Sequence, residues 1–286
     1  MTPQGITGRT RIGTRVNART ERFRLQRIAS SLTPRDVQIL LYLYDHKVLT
    51  TEQIYRLCFT SQARTQDRLL KLLELELIRR TRPRKRPGSL PYHYILDTAG
   101  ALVVAEHLGI ELRELDFRSD RRLGLIESPR LCHLRDLNTF FSFLIWACRT
   151  SGDLYHLKHW HSEEVCRKRW DDHITPDGMG VLEGPEGLIE FLLELDRGTE
   201  NHNRLEQKIR RYRIIAGANG APRLLLFCFN SAQREARARE ALDGSRFILA
   251  TTSLDRHRAD PLGSVWRPLR ADYRVRLTDL GRGGAA

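Results

Sequence analysis

Apolar residues recur at helical spacing through the first third of the chain and at strand spacing through much of the rest. The stretch "LTPRDVQILLYLYDHK" opens with Thr33 as a cap, Pro34 at the first helical position and Asp36 in the first turn. Val37, Leu40, Leu41 and Tyr44 then form one stripe. "LTTEQIYRLCF" offers Thr50 and Gln53 as a capping box, with Ile54, Leu57 and Cys58 inward. "TSQARTQDRLLKLLELELIRR" gives a third helix with Leu69, Leu72 and Leu73 inward, which leaves Arg64, Thr65, Arg68 and Lys71 for its outer face. Two β-like runs follow around a basic tip that contains proline and glycine, and "TAGALVVAEHLG" closes this part as a short helix.

The rhythm then changes. "RLCHLRDLNTFFSFLIWACRTSG" reads as a long buried helix and "DLYHLKHWHSEE" as a strand. Two further strands occupy "ITPDGMGVLEGPEGLIEFLLELDRGTE", with Gly178 and Gly180 read as turn residues beside Asp177. A helix "NRLEQKIRRYRIIAGA", a strand "RLLLFCFN", a helix "AQREARAREALDG" and a strand "RFILATTS" complete a mixed α/β order. The expected organisation is a flexible basic arm over 1–32, a front domain over 33–125, a mixed-sheet domain over 126–270 and a loose tail over 271–286.

Charge sharpens this picture. The net charge is +13, and it is uneven: residues 1–125 hold 23 Lys and Arg against 13 Asp and Glu, whereas residues 126–286 hold 25 against 22. A balance of this kind favours a polyanion, here double-stranded DNA, gripped by the front half. No apolar run approaches the roughly 20 residues of a membrane span, and no apolar segment follows the basic N-terminus, so neither membrane insertion nor a signal peptide is expected. Five scattered cysteines without a Cys-x-x-Cys fit a reduced, cytoplasmic protein.

The acids carry the candidate chemistry. Along Ile189–Asp196, side chains alternate between faces, so Ile189, Phe191, Leu193 and Leu195 share one face and Glu190, Leu192, Glu194 and Asp196 the other. The preceding strand starts with Pro176-Asp177. Carboxylates converging from two adjacent strands repel one another, and burial adds to the cost. A divalent cation, Mg²⁺ or Mn²⁺, held by Asp177 and Glu194 would remove that cost and would stabilise charge at a phosphodiester. The triplet His159-Trp160-His161 offers a competing site, of the kind in which HUH relaxases hold a metal beside a nucleophilic tyrosine, here Tyr212 or Tyr155. A zinc site from His156, His159, His161, Cys166 and His173 lacks paired ligand spacing. No Gly-rich loop of the Walker type is present.

Three resemblances follow from these residues. Residues 33–108 resemble a winged helix-turn-helix, on "RLLKLLELELIRR" running into a wing that carries Arg79, Arg80, Arg82, Arg84, Lys85 and Arg86. The resemblance implies a third helix in the major groove and a wing on the DNA backbone or minor groove. Glu76 stands where many such domains have a glycine before the wing. Residues 126–252 resemble the PD-(D/E)XK nucleases, on Pro176, Asp177 and Glu194. That resemblance implies Asp177, Glu194, Asp196 and Lys208 as the catalytic group, with Glu163 or Glu164 as a further carboxylate. Its pattern has a lysine two residues after the acid, and this chain has Asp196 there, so the amine falls to Lys208 on the next helix, one turn from Tyr212. Finally, "LCHLRDLNTF", "ITPDG", "ELDRGTE" and "LEQKIRRYR", behind a winged helix, look like the replication-relaxation family of plasmids and integrating elements. This implies DNA relaxation, replication initiation or transfer, with other replication or transfer proteins as partners. The alternative is a non-catalytic accessory factor or transcriptional regulator on a silent nuclease fold.

Overall fold

Capping sets the frame of the front half. In the computed structural model, which describes residues 31–83, 90–152, 154–171, 173–198, 202–215, 222–240, 242 and 247–281, helix α1 (Pro34–His46) starts at Thr33 and helix α2 (Thr51–Cys58) at Thr50, each with the expected capping box. Strand β1 (Leu49–Thr50) lies between them. Helix α3 (Gln62–Glu74), strands β2 (Ile78–Thr81) and β3 (His93–Leu96), and helix α4 (Thr98–Leu108) follow. The three strands form an antiparallel sheet in the order β1-β3-β2. The basic arm and Arg84, Lys85 and Arg86 of the tip lie outside the described residues.

Two details of this half differ from the pattern reading or explain it. The buried stripe of α1 is Ile39, Leu40 and Leu43, whereas Val37, Leu41 and Tyr44 are half-buried. The helix is apolar around most of its girth, so spacing alone allows two phases. After α3, Glu76 takes the left-handed conformation, φ 58°, while Leu77 N–H donates to Leu72 O at 3.0 Å and Glu76 N–H to Leu73 O at 2.9 Å. This is a Schellman stop with glutamate in the place usually filled by glycine.

The back half is a six-stranded mixed sheet. Helix α5 (Ser119–Glu127), which the pattern did not predict, leads into the long helix α6 (Leu131–Thr150). Strand β4 (His156–Ser162), the short helix α7 (Glu163–Arg169), β5 (Gly178–Gly184), β6 (Gly187–Asp196) and helix α8 (His202–Ile215) come next. The chain continues through β7 (Leu224–Phe229), α9 (Ala232–Arg239), β8 (Ile248–Ser253), α10 (Leu254–Ala259), β9 (Arg267–Pro268) and α11 (Leu277–Leu280). Strand order is β4-β5-β6-β7-β8-β9, with β6, β7 and β8 parallel and the outer pairings antiparallel.

Each face of the sheet builds its own core. Phe191, Leu193 and Leu195 pack with Phe140, Phe141 and Leu144 of α6, and Leu277 and Leu280 of α11 close the same side. Within the end expected to be loose from 271, Leu277, Thr278 and Leu280 are buried on the sheet, while Tyr273 stays exposed. On the other face Leu192 meets Leu205, Ile209 and Tyr212 of α8. Gly178 and Gly180 are strand residues rather than turn residues: a Cβ on Gly180 would stand 2.2 Å from the Phe191 ring, and one on Gly178 2.9 Å from that of Phe141. Both aromatic rings occupy space that a side chain would need.

Helix α6 also joins the two halves. Gln53 Nε2 donates to Arg135 O at 2.8 Å and Thr139 Oγ1 at 2.9 Å, and Asn138 Nδ2 donates to Val48 O at 2.7 Å and His46 O at 3.1 Å. His46 stacks on Trp160 of β4. Among the described residues no helix is long and apolar enough to cross a membrane.

Candidate functional site

Strand alternation turns Glu194 toward α8, as the pattern predicts, because Phe191, Leu193 and Leu195 fill the opposite core. Gly178 pairs with Leu193, so Asp177, one residue ahead, falls in line with Glu194. Asp177 is fixed from two sides: Oδ2 accepts from Leu195 N–H at 2.7 Å, and Oδ1 lies 3.0 Å from His133 Nε2, in the first turn of α6. Glu194 is buried and takes both of its partners from α8. Lys208 Nζ donates to Oε2 at 2.8 Å, and the buried Tyr212 hydroxyl donates to Oε1.

The charges at this cluster are strongly perturbed. Burial, helped by the neighbouring Asp177, pushes Glu194 up to about 7, although Lys208 and the Tyr212 hydrogen bond pull the other way. Burial also opposes the Asp177 carboxylate, but the His133 hydrogen bond and charge outweigh it and hold Asp177 below the usual carboxylate range. For His133, burial disfavours the cation, and the Asp177 hydrogen bond and charge overcome it, so its pKa is raised. The pair is thus split into an acid held ionised and an acid poised near neutrality.

Asp196 belongs to a different contact. Arg234 of α9 donates to Oδ2 at 2.8 Å and Gly198 N–H donates to Oδ1, so the third carboxylate is locked at the strand end and does not join the other two. Among the described residues no group of three His, Cys, Asp or Glu side chains stands ready to cage a metal ion. The histidines and cysteine weighed for zinc form no such group either, and His159 and His161 stack on each other along β4. Tyr212, offered as a nucleophile, is buried behind Glu194. Glu164 pairs with Lys47 and Lys168 at 3.2 and 3.3 Å. Mg²⁺ and its relatives commonly use one or two protein carboxylates and complete their shell with water and phosphate oxygens. The hard oxygen donors of Asp177 and Glu194 fit that requirement, with Lys208 and His133 as the groups a cation would compete against.

A cavity of about 670 Å³ opens over this cluster, between the two halves of the molecule. Asp177, Asp196, His133 and Lys208 line it, together with Glu163, Arg130, Arg197 and Arg204. The α1 end contributes Asp45, His46 and Lys47. Of these, the acids and Lys208 are foreseeable from the sequence pattern. His133 is not, although it sits in the phrase "LCHLRDLNTF", because a lone histidine at a helix start carries no spacing signal.

The residues expected on DNA divide in the structure. Arg64 and Lys71 are exposed on α3. Thr65 is wholly buried and its hydroxyl donates to Ser61 O at 2.8 Å, so it is not on the outer face. Arg68 turns back and grips Asp36, which is fully buried. Arg82 Nε donates to Leu90 O at 3.1 Å, and Arg80 and Arg82 flank the exposed Tyr92 ring.

Fold and site together define a mixed α/β protein in which a buried glutamate and a half-buried aspartate, served by a helix-borne lysine, lie at a cleft lined by charges of both signs. A family model described as replication-relaxation matches residues 40–223, more than half of the chain, and the protein belongs to that family. Membership points to a role in plasmid replication or relaxation. No curated protein and no solved structure matches the chain.

Proposed function

We propose that this protein binds DNA of a plasmid or integrating element and nicks one strand at the Asp177–Glu194 pair, in the service of replication, relaxation or transfer. The observation that carries the reading is the meeting of Asp177, Glu194 and Lys208 at a cleft rich in arginine. The front half acts as a winged helix: α3 offers Arg64 and Lys71 to the duplex, and the strands after it carry the basic wing. Lys208 contacts the phosphate or orients the attacking water, and Arg130, Arg197 and Arg204 neutralise the flanking backbone. A divalent cation, Mg²⁺ or Mn²⁺, held by Asp177 and Glu194 would supply Lewis-acid stabilisation of the charge developing on the phosphate.

A second reading has its own support. Both Glu194 oxygens are occupied by Lys208 and Tyr212, and the lysine of the strand motif is replaced by Asp196, which suits a non-catalytic DNA-organising factor. Incubation of supercoiled plasmid with the full chain separates the two. Nicking that needs Mg²⁺ or Mn²⁺ and disappears in Asp177→Asn and Lys208→Ala supports catalysis. Unchanged plasmid with either metal, alongside intact duplex binding, leaves the organising role.

A further inference from the structure

A second, smaller cavity of about 260 Å³ adjoins the cleft and shares Lys47 and Leu125 with it. Five basic side chains line it, Lys47, Arg118, Arg121, Arg122 and Arg167, against the two carboxylates of Asp116 and Glu164. Arg122, on α5, is the informative one. It is only 8% exposed, and one guanidinium nitrogen donates to Tyr44 O at 2.8 Å. Its other terminal nitrogen, NH1, is buried without a hydrogen-bond partner. A buried donor on a charged group is costly to leave unsatisfied. Arginine's planar fork is suited to two oxygens of one anion.

Lys47 links the two cavities through an unusual backbone. Its φ of 67° and ψ of −51°, with Val48 N–H donating to His46 O at 2.7 Å, describe a γ-turn of the rare, strained hand. The turn sets a lysine at the boundary between the pocket and the carboxylate site, where Glu164 holds its ammonium at 3.2 Å.

We infer that this pocket seats a backbone phosphate of a single nucleic-acid strand, with Arg122 as the buried fork, while a neighbouring phosphodiester of the same strand lies in the larger cleft beside Asp177 and Lys208. The inference rests on the strand-handling function proposed above. It adds a binding site on α5, an element without a sequence motif. Arg118 and Arg121 stand exposed at the rim and guide the strand in.

The test uses the full chain and a fluorescein-labelled single-stranded oligonucleotide, titrated by anisotropy over a range of salt. Arg118→Ala/Arg121→Ala should weaken binding and flatten the log–log salt slope by about 0.7 for each phosphate that is no longer neutralised. Arg122→Lys keeps the charge and removes the fork, and it should weaken binding while the melting curve reports that the fold is intact. Affinity and slope equal to wild type in both variants would overturn the site. Calorimetric titration with inorganic phosphate distinguishes a free-phosphate pocket. Tight phosphate binding that the double variant abolishes, with strand affinity unaltered, overturns the strand assignment. Nicking abolished in Asp177→Asn together with an unchanged salt slope in the rim variant sinks the pocket alone, whereas a wild-type chain that binds no strand sinks the function beneath it.

Discussion

Burial beside Asp177 moves the ionisation of Glu194 into the neutral range. With its pKa raised from the ordinary glutamate value to about 7, the metal-free native state holds a proton that the unfolded chain releases from about pH 4.5 upward. Stability should therefore fall as pH rises through that window, by up to roughly 3 kcal/mol. His133, with a raised pKa, adds to the same slope, because its contribution is lost as pH climbs through its folded value. Asp177 acts at the acid end, where its contribution is lost as pH falls through its depressed value. Urea melts at pH 5 and pH 8 should show the decline for wild type and a much flatter profile for Glu194→Gln; equal slopes would mean that Glu194 ionises normally. Arg68 provides a second single-residue test. Arg68→Ala leaves the fully buried Asp36 without its partner, and since Arg68 itself is partly exposed the cost should be about 2–4 kcal/mol. Any DNA-binding loss in that variant should be uniform across sequences. The acids and Lys208 were legible because strand alternation and helical i, i+4 spacing place side chains by arithmetic. Thr65 was misplaced even though it stands at i, i+4, i+7 with the buried Leu69 and Leu72, because a threonine reads as polar surface; Arg68 was not legible because its partner Asp36 lies far upstream on α1.

Among the elements, β5 is the least tolerant of change. Gly180→Ala would drive a methyl into the Phe191 ring, 2.2 Å away, and should cost more than about 3 kcal/mol through forced movement in a packed core. Gly109→Ala, at a helix end with open space around its Cβ position, should cost only the left-handed strain, about 1 kcal/mol. Thermal melts of the two variants should differ accordingly, and comparable losses would show that the β5 site can relax. The capped helices of the front half and much of the succession of helices and strands in the back half were readable in advance, since caps and alternation are local signals; the order in which the strands pair is set by tertiary packing and was not. Helix α5 and helix α7 were not: Ser119–Glu127 and Glu163–Arg169 lack a side-chain cap bond at their N-termini and bury one residue each, Arg122 and Cys166. Their positions come from tertiary packing. The functional weight of α5 was hidden for the same reason, since Arg122 looks like any surface arginine until the fold encloses it.

At the scale of the whole molecule, the two halves share α6 and are bound by Gln53, Asn138 and the His46–Trp160 stack. The full chain should therefore unfold in one calorimetric transition, with van't Hoff and calorimetric enthalpies in agreement. Two separated transitions would mean that the joint contributes little. Asn138→Ala, which removes both hydrogen bonds to the front half and leaves the His46 and Val48 carbonyls without that donor, should lower the melting temperature and begin to split the transition. The placement of the amine has a wider consequence. A lysine two residues from the acid on one strand would move rigidly with it, but here Lys208 reaches Glu194 from another element, fourteen residues along the chain. Glu194 rides on the sheet and its counter-charge on α8, so the electrical state of that acid is a function of helix position. A partner that levers α8 outward by its exposed Arg210 and Arg211 would unplug the amine while every strand kept its register.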